Sequence, residues 1–322
     1  MRRMDGVVRS GLWAVTLLAA ALALPASGDP PVSAGGDAGT EIAEPSEIES
    51  KLKLKISKRE SKHFKLYTFV DAEAAKELMK LAEQTYSEFM ALMEMPANTV
   101  MFSEKVEIIM FREPRNHQQW VQQLSGYTGQ KLDQAMKVSG DISYSNNRWE
   151  AWQGQFSERW PKDVVVHHTV HMLTGKYSGL ASSQMKGWMY EAMAYWFSLR
   201  LSGTCEQYCV TQAKEGASVM KALKGGVADW KKTVKEQVAQ KKDPKMEAML
   251  QSGLNEMSER EMMKGWSVID WMAVEKKKQL AAFFKAIRPN KAKLDLNALM
   301  VEHFGSCDEL QKDWASWVLK NY

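Results

Sequence analysis

Residues Lys51–Ser57 (KLKLKIS) alternate charged and aliphatic side chains, and Phe64–Val70 (FKLYTFV) keeps the same period of two. Successive side chains of an extended chain point to opposite faces, so the two runs predict a pair of strands with one buried face each. Asp71 then precedes apolar residues at helical spacing (Ala74, Leu78, Leu81, Ala82, Tyr86, Phe89). That pattern predicts a capped amphipathic helix reaching about Met93. Val106–Phe111 is an aliphatic strand and Asn116–Ser125 a further helix. Turns follow at Gly126–Gly129 and Ser139–Gly140, and Ile142–Tyr144 and Arg148–Gln153 read as edge strands. Beyond Pro161 the pattern is helical throughout: Asp163–Thr174, Met185–Ser202, Trp266–Ile287, Leu294–Phe304 and Cys307–Tyr322. Strands first and helices afterwards predict an α+β fold, with a small N-terminal sheet packed on helices and then a mainly helical C-terminal half.

The N-terminus follows different rules. Arg2, Arg3 and Arg9 precede the uncharged apolar run Gly11–Leu24, and Pro25-Ala26-Ser27-Gly28 supplies small residues for cleavage. This three-part pattern predicts a signal peptide over residues 1–28 and an exported protein, periplasmic or extracellular. The run is shorter than the ~20 residues that span a bilayer comfortably, and no second run of that length follows. No stable membrane span is therefore expected after cleavage. Residues 29–50 are rich in Pro, Gly, Ser and Glu with few large apolar groups, and predict a flexible linker. The folded domain is expected over 51–322.

Composition narrows the partners. The full chain carries a net charge of +4, and removing residues 1–28 lowers it further. The lysines are dispersed, and the rich stretch Lys214–Lys245 reads as solvated helix faces, so nucleic acid is excluded as a partner. Twelve Trp and 21 Met supply a large core. Cys205, Cys209 and Cys307 are an odd set, and at least one thiol stays unpaired within the monomer. Cys205–Cys209 is the local candidate for a disulfide, and either could instead pair with Cys307. No CxxC pair is present for a cysteine zinc site.

Chemistry concentrates in His167-His168-Thr169-Val170-His171. His167 and His171 lie four apart on a predicted helix, so their rings project from one face and can chelate one zinc ion. The next helix contains Trp188-Met189-Tyr190-Glu191-Ala192-Met193-Ala194-Tyr195-Trp196, apolar on nearly all sides. Glu191 is its one charge between Trp188 and Leu199, and a buried carboxylate needs a compensating partner. A cation held by two histidines would supply it. The alternative is that the histidines are packing residues and no metal binds.

The two segments together resemble the gluzincin signature, HExxH on one helix and a glutamate ligand on the next. Nineteen residues separate His171 from Glu191, and GWMYEAMAYW is similar to the W-x-x-E-G-x-A-x-Y of the aminopeptidase branch, with Ala192 at the usual Gly. The tail (Val301-Glu302-His303-Phe304-Gly305, then Asp313–Val318) is similar to the ending of exported bacterial peptidase-MA-like proteins. The resemblance covers roughly residues 50–322. It implies a thermolysin-like C-terminal half with antiparallel metal helices, Zn2+ ligated by His167, His171 and Glu191, and peptide as substrate. His168 departs from the signature, standing where the family has the glutamate that acts as general base. The expected function is thus an inactive or weak metallopeptidase serving a binding or structural role toward a peptide or protein in the cell envelope. The alternatives are an active zinc peptidase, with His168, Glu150 or Glu158 as base, and a metal-free interaction module. Tyr195 and His303 are candidates to steady an oxyanion. Trp149, Trp152 and Trp160 could line a groove, though isolated tryptophans are more often core.

Overall fold

The computed structural model of the chain describes residues 36–44, 46–96, 98–136, 140–145, 148–153, 161–180, 184–205, 225–253, 256–287 and 295–322. The signal-peptide reading of residues 1–28 lies outside them. Six strands form one mixed sheet: β1 (Thr40–Glu41), β2 (Ser57–Glu60), β3 (Phe64–Thr68), β4 (Val106–Met110), β5 (Gly140–Ser145) and β6 (Arg148–Gln153), in the order β1-β2-β3-β4-β6-β5. The β1–β2, β2–β3 and β5–β6 pairs are antiparallel, while β3–β4 and β4–β6 are parallel. The parallel β3–β4 pair requires a crossover, and α2 (Ala72–Leu92) provides it. Asp71 caps this helix by accepting from the Ala74 amide at 2.8 Å.

Alternation along the strands sorts the sheet's two faces. Phe64, Leu66, Val106, Ile108 and Met110 join the main core with α2. Ile109 and Phe111 turn to a second, smaller cluster with Ile48, Trp120 and Tyr127. The elements covering that second face include α1 (Glu47–Leu52) and α3 (Pro114–Gln123), followed in the chain by α4 (Gly129–Ala135).

Three sequence expectations change here. The stretch 29–50, expected as a linker, is paired and helical in its described part. β1 pairs with β2, Arg59 Nε donates to the Ala38 carbonyl at 2.8 Å, and a Cβ on Gly36 would lie 2.2 Å from the Lys80 carbonyl oxygen. Lys51–Ser57 is likewise not a strand. Ser46 and Glu49 form a reciprocal capping box that starts α1; Lys53, with φ 56°, ends it, and pairing begins only at Ser57. The short polar β2 is held by Lys58, whose buried ammonium reaches Glu49 at 2.5 Å and the Glu44 carbonyl at 2.8 Å. Finally, β6 is interior and only β5 of the two is an edge.

The second half is helical as expected: α5 (Pro161–Ser178), α6 (Gly187–Leu201), α7 (Val227–Ala239), α8 (Met246–Gln251), α9 (Glu259–Glu275), α10 (Lys277–Ile287), α11 (Leu296–Phe304) and α12 (Cys307–Asn321). Trp266–Ile287 is two helices rather than one, broken at Lys276 with φ −130° and ψ 29°. There the apolar pattern gives way to Glu275 and three lysines, most of them exposed, so little buried surface holds one continuous axis. Among the described residues no helix is long and apolar enough to cross a membrane.

The architecture is α+β, and its centre is a stack of helices: α5 packs on α2 and α6, and α6 packs on α9. The α6–α9 seam is tight. A Cβ on Gly265 would meet the Ala192 Cβ at 3.1 Å and the Trp188 Cβ at 3.5 Å, so a larger residue would push the two helices apart by a few tenths of an ångström. Behind it, buried Lys264 reaches Asp243 at 2.8 Å and Gln311 at 2.5 Å and lies over the Trp314 ring, joining α9 to α12.

Candidate metal centre

α5 and α6 are buried on all sides along their central turns. Val164 through Leu173 are buried, and so is every residue from Gly187 to Leu199. A helix that is apolar on all sides belongs inside a protein, and polar groups on it must find partners there. Asp163 and Ser202 do so, the Ser202 hydroxyl donating to the Asp163 carboxylate. This bond joins the start of α5 to the end of α6, while His171, further along α5, meets Glu191 near the start of α6. The two helices therefore run antiparallel.

At their crossing three side chains converge. His167 Nε2 lies 2.9 Å from His171 Nε2. His171 Nε2 is 3.1 Å from Glu191 Oε1, and His167 Nε2 is 3.7 Å from Glu191 Oε2. Ligand atoms held ~2.0–2.1 Å from a tetrahedral zinc stand roughly 3.3–3.4 Å apart, and the observed separations bracket that spacing. All three side chains are 0–1 % exposed. The donor set is two imidazole nitrogens and one carboxylate, and the group could hold a metal ion.

The electrostatics favour the ligand-competent form. Burial pushes His171 down to about 3. Burial, then the neighbouring His171 ring, pushes His167 well below the usual histidine range against the opposing pull of Glu191. Both rings are neutral at pH 7 and need lose no proton to ligate a cation.

The other predicted residues fall as follows. His168 is buried on α5 but stands outside the converging three. Its ring meets that of His167 edge-on at 6.1 Å, and burial with the His171 ring pushes it down to about 3. Tyr195 lies with its ring 5.9 Å from His167 and its hydroxyl 3.8 Å from the Met262 sulfur. His303 packs against Phe283 and Phe304 at the α10–α11 contact. Glu158 and Trp160 lie outside the described residues, as do the side chains of Trp149, Glu150 and Trp152. Cys307 keeps a free thiol, so it does not pair with Cys205. Cys209 lies outside the described residues.

No family model and no curated protein matches the chain.

One residue of the site escaped the sequence reading. Tyr190 stacks face to face on His171, ring centroids 3.7 Å apart and planes 13° apart. The available signal was an aromatic residue directly preceding the lone glutamate of an apolar helix.

Proposed function

We infer that the protein is an exported, gluzincin-like domain that binds zinc through His167, His171 and Glu191 but has lost effective peptidase chemistry at His168. The single observation that carries the reading is the convergence of two buried imidazole nitrogens and one buried carboxylate between antiparallel helices. Burying a carboxylate is costly unless charge or donors face it, and a cation held between the two rings would face it directly.

The loss of activity follows from what stands beside the ligands. Zinc in such a site would polarise a carbonyl and acidify a water. The remaining work, taking a proton from that water and delivering it to the leaving nitrogen, falls to a positioned base. His168 is a poor one, because its buried ring stands outside the three converging groups, edge-on to His167 at 6.1 Å, and lacks the reach of a carboxylate. Positioned acid–base groups contribute about 10²–10⁴-fold, so turnover should be low by that factor. The domain then serves by binding a peptide or protein in the cell envelope, or by metal-held structure.

Metal analysis tests the first half: one zinc per purified full-length chain, and none in Glu191→Ala. A wild type that stays metal-free after growth in zinc would end the reading in favour of a metal-free module. For the second half, wild type should leave an unstructured protein intact, and His168→Glu should cleave it in a chelator-sensitive way. Chelator-sensitive cleavage by wild type would instead mark an active peptidase.

A further inference from the structure

We propose that Tyr190 is a positioning residue for the metal, fixing the plane of the His171 ring and with it the direction of the Nε2 lone pair. The inference rests on the zinc reading of His167, His171 and Glu191 and adds to it a part that no ligand motif contains.

The lone pair of an imidazole nitrogen lies in the ring plane. Whatever fixes that plane therefore decides whether the nitrogen points at the ion or past it. His171 sits on a helix, where its backbone sets only the root of the side chain, and the plane of the ring is set by what packs on it: the His167 ring edge-on at 4.4 Å and, most directly, anything flat that lies against its face. Tyr190 does, at 3.7 Å and 13°. In that orientation His171 Nε2 faces both His167 Nε2 at 2.9 Å and Glu191 Oε1 at 3.1 Å. Tyr190 and Glu191 are consecutive, so one turn of α6 carries both the carboxylate that contacts His171 and the plate that orients it. Tyr190 is itself 8 % exposed and held in the core, so the plate is rigid.

Stacking has a second effect. A ligated imidazole is drained of electron density and approaches the character of a cation, which the face of a phenol ring attracts. The stack thus favours the loaded state over the empty one, beyond its part in aiming the nitrogen. His167 shows the contrast: its nearest aromatic companion from α6, Tyr195, is tilted by 38° at 5.9 Å and cannot act as a plate.

The test is zinc affinity of the full chain by competition with a chromogenic chelator, in wild type, Tyr190→Phe and Tyr190→Met. Phe keeps the plate and should bind within about threefold of wild type. Met keeps the volume without the plane and should bind ~10–100-fold more weakly, the usual cost of losing a group that orients a ligand. Cobalt(II) in place of zinc should give the same visible spectrum in wild type and Tyr190→Phe and an altered one in Tyr190→Met. Equal affinity and spectra in all three would overturn the role of Tyr190 while leaving the zinc reading intact. Absence of zinc from wild type would overturn both. If Tyr190→Met does not fold, the zinc-loaded wild type still decides: the His171 ring protons should show the upfield ring-current shift of a stacked imidazole, and its absence sinks the proposal.

Discussion

The protein uses one arrangement of residues twice, with different results. On the sheet side, His63 stacks on Tyr86 with centroids 3.8 Å apart and planes 13° apart, and its Nδ1 meets the buried Glu83 at 2.6 Å. Between α5 and α6, His171 stacks on Tyr190 and meets the buried Glu191. Glu83 also accepts from the Ser61 hydroxyl at 2.5 Å and the His63 amide at 2.8 Å. Burial alone would raise its pKa, but those bonds, led by His63, bring it below the usual carboxylate range. Glu191 instead faces two imidazole nitrogens at 3.1 and 3.7 Å, each ring pushed toward its neutral form. A carboxylate wrapped in donors is a finished structural joint. One that converges with two imidazole nitrogens could hold a cation.

The largest effect should come from zinc itself. At about a thousand times its dissociation constant, zinc should stabilise wild type by ~4 kcal/mol, read as a rise in the calorimetric midpoint. Glu191→Ala should abolish that rise, and Glu83→Gln should keep it. If Glu83→Gln also loses it, the contrast between the two glutamates is wrong. Next in size is Glu83→Leu, which strands the Ser61 hydroxyl and the His63 amide and ring. It should cost about 1–3 kcal/mol in urea unfolding without changing bound metal.

The smallest effect isolates burial from ligation. His117 is buried between Phe111 and Trp120, and burial pushes it down to about 4. The unfolded chain accepts that proton near pH 6.5 and the folded one does not. Stability is therefore complete above pH 6.5 and is lost as the pH falls toward 4. Over the first unit below 6.5 the loss should be about 1 kcal/mol for this one ring. His117→Leu should flatten the pH profile by that amount, with bound zinc unchanged. An identical slope in the variant would show that burial does not hold the ring neutral.

Much of this was legible in the chain. HxxxH and a lone Glu in an apolar helix point to three side chains that converge, because a fully apolar helix can only be buried and helical spacing fixes which residues share a face. The α2 helix and its Asp71 cap were legible for the same local reasons. What escaped depended on distance or competition. Glu83 joins Ser61 and His63 across about twenty positions, and no local pattern marks them. At 46–60 the period-two alternation of KLKLKIS competed with the Ser46–Glu49 capping box and lost, since a cap satisfies backbone donors at once whereas a strand needs a partner in register. The break at Lys276 hid inside a run that remains helical on either side.

The bare contact between Ala192 and Gly265 ties the upkeep of this centre to a residue that supplies no side chain to it. Volume at that crossing is a shared allowance: an added methyl on either helix must be matched by one removed from the other, or α6 shifts and carries Glu191 with it. Positions 192 and 265 should consequently change together wherever this domain has diverged, small opposite small, long after the residues around them have drifted.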